Sequence, residues 1–416
     1  MKIAIVGTGI SGLTCAHLLH RDHELVLFEA SDRVGGHAHT VDLPIGNDSV
    51  SVDTGFVVFN ERNYPSFLRL MAQLDVKTRP SEMSFSVRWD ETGLEYGGGS
   101  LDALFARRTN LLRPSFLRMC RDIPRFYREA TRLVESLDEK VTLGDWLEGR
   151  QYSREFIDDH LLPMGAAIWS TDIDRMREFP AVSLARFFQN HGVLSLRDRP
   201  QWRTIEGGSR CYVDALTRPF AAAIRLSEPV TGIRRHRDHV EISSARGDRE
   251  RFDQVIIATH SDQALRMLSD ASGAERAVLG SIAYQPNSVT LHTDASIMPR
   301  RRRAWSSWNY HLLGECASRV CLTYNMNILQ GLDVGRDLLV SVNGDALIQP
   351  DSIIERFDYA HPVFDGRAME AQRDRGLISG QNRTHYCGAY WGYGFHEDGV
   401  VSALEVCRRF GLELAA

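Results

Sequence analysis

The chain has 416 residues, 43% of them hydrophobic and 25% charged, with a formal net charge of −5. This is ordinary soluble-globular usage, long enough for two cores, and the acidic balance gives no global reason to bind nucleic acid or an anionic membrane. No apolar run approaches the roughly 18–20 residues of a bilayer span, and seven scattered cysteines without a C-x-x-C pair exclude a disulfide framework and imply a reduced compartment.

Lys2-Ile-Ala-Ile-Val6 is a short apolar run with β-branched residues, the pattern of a buried parallel strand. Its position leaves no room for a targeting peptide, so a cytoplasmic location is expected. Gly7-Thr8-Gly9-Ile10-Ser11-Gly12 follows, then a helical stretch from Leu13 to Leu19 and a second strand, Glu24 to Phe28, ending at Glu29. In a dinucleotide-binding unit Gly7 makes the tight turn, Gly9 admits a pyrophosphate to the backbone, and Gly12 lets helix and strand pack closely. The helix start, Ser11 included, offers amide donors and a positive dipole end. Glu29, with Ala30 beside it, is placed to accept hydrogen bonds from an adenosine ribose.

A second paired glycine comes just past the acid, in Glu29-Ala30-Ser31-Asp32-Arg33-Val34-Gly35-Gly36, and implies another close backbone approach to the cofactor. This E-x-x-x-R-x-G-G run resembles the flavin-containing amine oxidase and phytoene desaturase superfamily. The resemblance implies FAD as cofactor, with Arg33, Gly35 and Gly36 along its ribityl-phosphate half. His37 and His39 alternate in direction if extended, so one faces the flavin, and His39 is assigned to the substrate side.

Gly97-Gly98-Gly99 follows no β-branched strand and opens no obvious helix with a downstream acid, so it is read as a turn and not a second dinucleotide fold. Phe116, Met119, Ile123, Phe126, Ala130, Leu133 and Leu137 form one helical stripe. Arg118, Arg121, Arg125, Arg128 and Arg132 repeat on the other side, and Pro124 predicts that the helix starts or kinks there. That basic face, and Arg300 to Arg303, are the candidates for peripheral contact with anionic phospholipid.

Gly207-Gly208-Ser209-Arg210 resembles the superfamily segment that returns the chain to the FAD domain. The strand from Val230 to Ile233 resembles the one whose backbone meets the adenine, which makes Val230 a cofactor residue. Further strands are expected at Val240–Ile242 and Val255–Ala258. Thr384 to Ala389, with Gly388 at its turn, resembles the last strand and turn of FAD folds. Glu397-Asp398-Gly399-Val400 resembles the start of a closing helix whose amide end faces the flavin, so Glu397, Gly399 and Val400 are assigned to the cofactor. The superfamily usually has an acid after that glycine to hold the ribityl chain, whereas this chain has Ala389.

The expected fold is therefore α/β: a discontinuous Rossmann-type FAD-binding domain (1–60, 200–262 and 375–416) with an amine-oxidase-like α+β substrate domain (61–199 and 263–374). Tyr390, Trp391, Tyr393 and Phe395 are expected to wall the substrate cavity, and His396, beside the closing helix, is the catalytic acid or base candidate. Cys387 reads as a buried, inert thiol. No His/Cys cluster or carboxylate array has metal-ligand spacing, so no metal is expected.

The stretch from Gly388 to Gly399, with Gly35-Gly36-His37-Ala38-His39-Thr40 and Trp202-Arg203-Thr204, is similar to a group of predicted NAD/FAD-binding oxidoreductases. These are related to the flavin domain fused ahead of plant cyclopropane fatty acid synthases. This resemblance implies oxidation of a lipid acyl chain and an acyl-chain methyltransferase as partner. An amine oxidase or small-molecule dehydrogenase, and an FAD-binding accessory subunit of such a methyltransferase, are the alternatives. Many amine oxidases of the superfamily place a lysine beside the flavin from the later half of the chain. Here Lys2, Lys77 and Lys140 are the only lysines.

Overall fold

A computed structural model describes residues 1–135, 140–169, 173–195, 199–312 and 321–415. Cys316 and Leu137 lie outside the described residues. Lys2–Val6 and Glu24–Phe28 pair in parallel, Lys2 opposite Glu24 and Val6 opposite Phe28. Gln254–Ile257 joins the other side of Lys2–Val6, and Thr384–Tyr386 and Ile224–Arg225 complete a five-stranded, all-parallel sheet. The strands are buried on both faces, which is why their sequences read as continuous apolar runs. Three distant stretches of chain thus meet in one sheet.

The helix Ile10–Leu19 and the closing helix His396–Arg408 pack against each other beside this sheet, sharing a core with Ile3, Ile5 and Leu13. Val230–Arg235, Val240–Ser244 and Arg249–Phe252 form a separate antiparallel sheet. The Gly207–Gly208 turn is held down by Asp53, which accepts from both the amide and the hydroxyl of Ser209.

The other large layer is a mixed seven-stranded sheet. In spatial order it runs Ile353–Pro362, Tyr284–His292, Leu339–Val342, Leu322–Asn325, Trp308–Leu312, Phe85–Trp89 and Leu94–Gly97. Its one parallel pair joins Trp308–Leu312 to Phe85–Trp89. Gly97 ends a strand in this sheet and Ser100 caps a four-residue helix, so the glycine run joins an antiparallel strand to a short turn of helix.

The apolar stripe at 116–133 lies on one helix, Pro114–Leu133, with Phe116, Met119, Phe126 and Ala130 buried. The helix starts with Pro114 in its first turn, so of the two outcomes expected at Pro124, a start or a kink, the start does not occur. It runs through Pro124: one backbone bond is forfeited there, but buried stripe residues on both sides anchor the two halves to the same core.

Candidate active site

A cavity of about 1100 Å³ lies between the parallel sheet and the seven-stranded sheet. Its nucleotide end is made of backbone. Gly7 turns with φ +101° and donates its amide to Phe28, 2.8 Å away. Gly9 starts the first helix with no side-chain cap, so the first amides of that helix are available to an anion at the cavity wall. A Cβ on Gly9 would meet nothing within 4 Å, whereas one on Gly12 would sit 2.0 Å from the Gly7 carbonyl oxygen. The first glycine thus opens to the ligand and the second seals helix against turn.

Glu29 closes this end. One of its oxygens accepts from the amide and hydroxyl of Thr8 at 3.0 and 2.5 Å, and the other from the amide and hydroxyl of Ser31. Ala30, Gly35, Gly36, Ser11 and Val230 share the lining. Open space over Gly9, uncapped amides and an anchored acid twenty residues on together fit the pyrophosphate and adenosine of FAD. That cofactor supplies hydride-accepting chemistry when bound.

Several residues expected to touch the cofactor shape its bed from behind. Gly12, Arg33, Glu397, Gly399 and Val400 do not line the cavity. Arg33 reaches the Ala38 carbonyl at 3.5 Å and so spans the Gly35–Gly36 turn. The Glu397 carboxylate caps the helix Pro65–Gln73, accepting from the amides of Ser66 and Phe67 at 2.9 and 2.8 Å. Gly399 packs where a Cβ would come within 2.8 Å of Ile10, its carbonyl accepting from Ser11 at 2.9 Å, and Val400 is fully buried in the core. Their contribution is the fit of the closing helix on the first helix.

At the far end the lining is aromatic and aliphatic. Tyr390, Tyr393 and Phe395 line the cavity, with Phe395 stacked on Phe187 at 5.1 Å. Trp391 does not: it turns out of the cavity onto Tyr390 and the Arg375 guanidinium. The loop holding these rings is pinned by Asp398, whose carboxylate accepts from the amides of Tyr393 and Phe395 at 3.0 and 2.9 Å. Burial pushes that carboxyl up to about 7. Asp398 was not anticipated, although an acid three residues after Phe395 at a helix start is a capping signal.

The histidines divide differently from expectation. His37 and His39 do alternate, but His37 faces the cavity. His39 points away, its Nδ1 2.9 Å from the Tyr359 hydroxyl and its ring edge-on to Phe357. His396 lines the cavity, stacked at 3.5 Å on Phe56, with Nε2 3.0 Å from the Tyr212 hydroxyl. Burial pushes its pKa down to about 3, so at neutral pH it is an uncharged ring fixed by two neighbours. This geometry suits packing and hydrogen bonding rather than proton exchange with solvent.

Met164, Ile168, Trp169, Trp308, Tyr324 and Val342 complete the far end. Sequence reading did not single them out, because on helix or strand they carry the same apolar periodicity as core residues. The only acids along the described cavity wall are Glu29 and Glu82, and none of the wall residues is a lysine. Cys387 is buried with its sulfur 3.9 Å from that of Cys15, whose thiol is pushed well above the usual range by hydrogen bonding to Cys387 and by burial.

Elsewhere, Arg118, Arg121 and Arg125 of the basic helix face pair with Glu155, Asp122 and Glu129. Arg300 to Arg303 pair with Asp90, Glu95, Asp337 and Asp102. Among the described residues no group of three or more His, Cys, Asp or Glu side chains is placed to hold a metal ion, and no helix is long and apolar enough to cross a membrane.

Residues 10–347 match the family described as flavin containing amine oxidoreductase. AofH of Mycobacterium tuberculosis, assigned by name as a flavin-containing monoamine oxidase, is 27% identical over 264 residues, 60% of this chain and 55% of its own length. The chain thus spans about half the length of that curated relative. Among solved structures, cyclohexylamine oxidase from Brevibacterium oxydans superposes with a TM-score of 0.69 at 16% identity, over 99% of both chains. A fatty acid isomerase from P. acnes that produces CLA superposes with a TM-score of 0.68 at 16% identity, over 98% of both. At such identities the likeness is one of fold.

Proposed function

The chain belongs to the flavin containing amine oxidoreductase family, and from that premise we propose that it is an FAD-dependent oxidoreductase that desaturates or oxygenates a lipid acyl chain. The carrying observation is the far end of the cavity: a largely aromatic and aliphatic wall with no lysine among its described residues, on which the lining acid, Glu82, is exposed. An apolar chain loses nothing by entering such a space. An ammonium group would be desolvated there without a carboxylate partner.

In this reading Phe187, Tyr393 and Phe395 would hold the chain at the far end of the cavity, and Asp398 keeps the loop of Tyr393 and Phe395 in place. His396 and Tyr212 hold a neutral hydrogen-bonded pair beside the start of the closing helix. The dipole of that helix favours negative charge at its amide end.

The fold itself does not choose a substrate, since it serves both an amine oxidase and a fatty acid isomerase. Amine oxidation is the competing reading, favoured by the AofH similarity and disfavoured by the lining. A purely accessory FAD-binding role is disfavoured by an apolar cavity that extends well beyond the nucleotide end. An acyl-chain methyltransferase that prepares the substrate remains the partner of choice under this proposal. The test is product analysis: holoenzyme incubated in air with methylated or unsaturated fatty acids and phospholipids yields a chain lighter by two hydrogens, which pass to FAD and on to oxygen, or, when a flavin reductant is added as well, a chain heavier by one oxygen. Unaltered lipid in every incubation, with an amine consumed instead, overturns the reading.

A further inference from the structure

Three imidazoles crowd the cavity wall beside the phosphate turn. His37 has its ring centroid 6.0 Å from that of His260 and 5.5 Å from that of His361. Two of the three are tied to the glycine turn by their neighbours. His37 follows Gly36, on which a Cβ would lie 3.1 Å from the Gly9 Cα. His260 comes two residues after Ala258, whose carbonyl would meet a Cβ on Gly7 at 2.9 Å. The trio therefore stands next to the uncapped amides of the first helix.

His361 is aimed by a relay that can run in only one direction. The Ser288 amide, a donor only, gives its hydrogen to Asn343 Oδ1 at 3.1 Å. Asn343 Nδ2 then donates to Asn287 Oδ1 at 2.8 Å, and Asn287 Nδ2 donates to His361 Nδ1 at 2.9 Å. Nδ1 is thus an acceptor, and the single proton of the neutral ring sits on Nε2, at the opposite edge. His361 lines the cavity, and the Asn287 that orients it is only 2% exposed. Such a relay commits one buried amide, Asn287, and one half-buried amide, Asn343, to fixing one tautomer. Among the described residues nothing takes up the resulting donor: the hydrogen bonds of His361 end at Asn287.

We propose that the Asn343–Asn287–His361 relay presents His361 Nε2–H to a pyrophosphate oxygen of FAD, on the side of the phosphate opposite the helix amides. The inference rests on FAD occupying this cavity and is independent of the substrate. His37 and His260 flank the same oxygen. His260 is oriented by accepting from the Gln263 backbone amide and by stacking on Tyr284 at 4.3 Å, and the buried His37 Nε2 has no hydrogen-bond partner among the described residues. Burial pushes His361 down to about 4, so it acts as an uncharged donor across the neutral range. The turn at Gly388–Ala389 brings no side-chain donor or acceptor to the cavity, and His361 is the polar contact the cofactor gains from the seven-stranded layer instead.

The test uses holoenzyme. Loss of one hydrogen bond to a charged oxygen speeds FAD release roughly tenfold to a hundredfold in His361→Leu, followed by flavin fluorescence after dilution. His361→Gln, which keeps an N–H donor, releases FAD at close to the wild-type rate. In the ³¹P spectrum of the Gln variant one pyrophosphate resonance moves and the other stays. Should His361→Leu not fold, the ³¹P comparison of His361→Gln with wild type decides alone. Wild-type FAD release in the Leu variant, or a ³¹P spectrum unchanged in the Gln variant, overturns the proposal. Either result leaves the substrate question untouched, because neither readout requires turnover.

Discussion

At the nucleotide end of the cavity the wall is made of glycines and amides drawn mostly from residues 7–36. Away from that end it is made of side chains from Phe56 to His396, carried by helices, strands and loops. The two ends also differ in tolerance. Gly9 faces open space and Gly12 a carbonyl oxygen at 2.0 Å, so a single atom added to the backbone end has a defined consequence. The apolar end is a packed surface where volume can be exchanged. Cofactor binding is thus specified by local geometry, and substrate choice by the tertiary assembly of residues that individually look like core.

The sharpest way to break this contrast is at the glycines. Gly9→Val should abolish FAD retention, read from flavin absorbance, while the fold survives as judged by circular dichroism. Gly12→Val should instead unfold the first helix from its turn, costing about 3 kcal/mol or more as severe overpacking. Equal behaviour of the two variants would erase the distinction between ligand approach and packing. Next in size, Met164→Trp narrows the far end. FAD retention should be unchanged, and flavin reduction by long acyl chains should fall at least about tenfold, the scale of a few methylenes of misfit.

Where the two ends meet, two neighbouring groups titrate in opposite senses. His396 is held neutral with a pKa near 3, so stability is lost as pH falls from 6.5 toward 3, where the unfolded chain is protonated and the folded chain is not. Asp398 keeps its proton up to about 7, so its contribution is present below about 4 and is lost as pH rises toward 7. His396→Gln should flatten the acid limb of the stability curve, and Asp398→Asn the limb between 4 and 7. Each proton removed changes the slope by up to about 1.4 kcal/mol per pH unit. Denaturant melts across that range check both; unchanged slopes would mean that the junction is wetter than its packing implies.

The smallest effect is expected at the basic helix face. Three of its five arginines already pair with carboxylates. Arg128→Gln should therefore reduce co-sedimentation with anionic vesicles by no more than about fivefold, one charge being worth about 1 kcal/mol at a membrane surface. No change at low salt would reduce the stripe to a solvated face.

The same contrast explains what was legible in the sequence. The strands Lys2–Val6 and Glu24–Phe28, the helix Ile10–Leu19 and the closing helix were readable because glycine spacing and apolar runs act over a few residues. The choice between His37 and His39 was not readable. Period-two alternation says that two residues point opposite ways, and only the packing of Ile353–Pro362 against them, through Tyr359 and Phe357, says which way is inward. Glu397 was misassigned for a related reason. An acid at a helix start can face a ligand or cap a neighbour, and the neighbour, Pro65–Gln73, lies more than 300 residues earlier in the chain. Pro124 does not begin the helix, because local propensity yields to a buried stripe on both sides of it.

The measurement that bears most directly on the central claim is anaerobic flavin bleaching of the holoenzyme, with acyl lipids and amines presented separately. An apolar, lysine-free cavity predicts loss of the oxidised flavin absorbance on adding fatty acids or acyl phospholipids, and no change with benzylamine or a polyamine. Rapid bleaching by the amines, with the lipids inert, would contradict it.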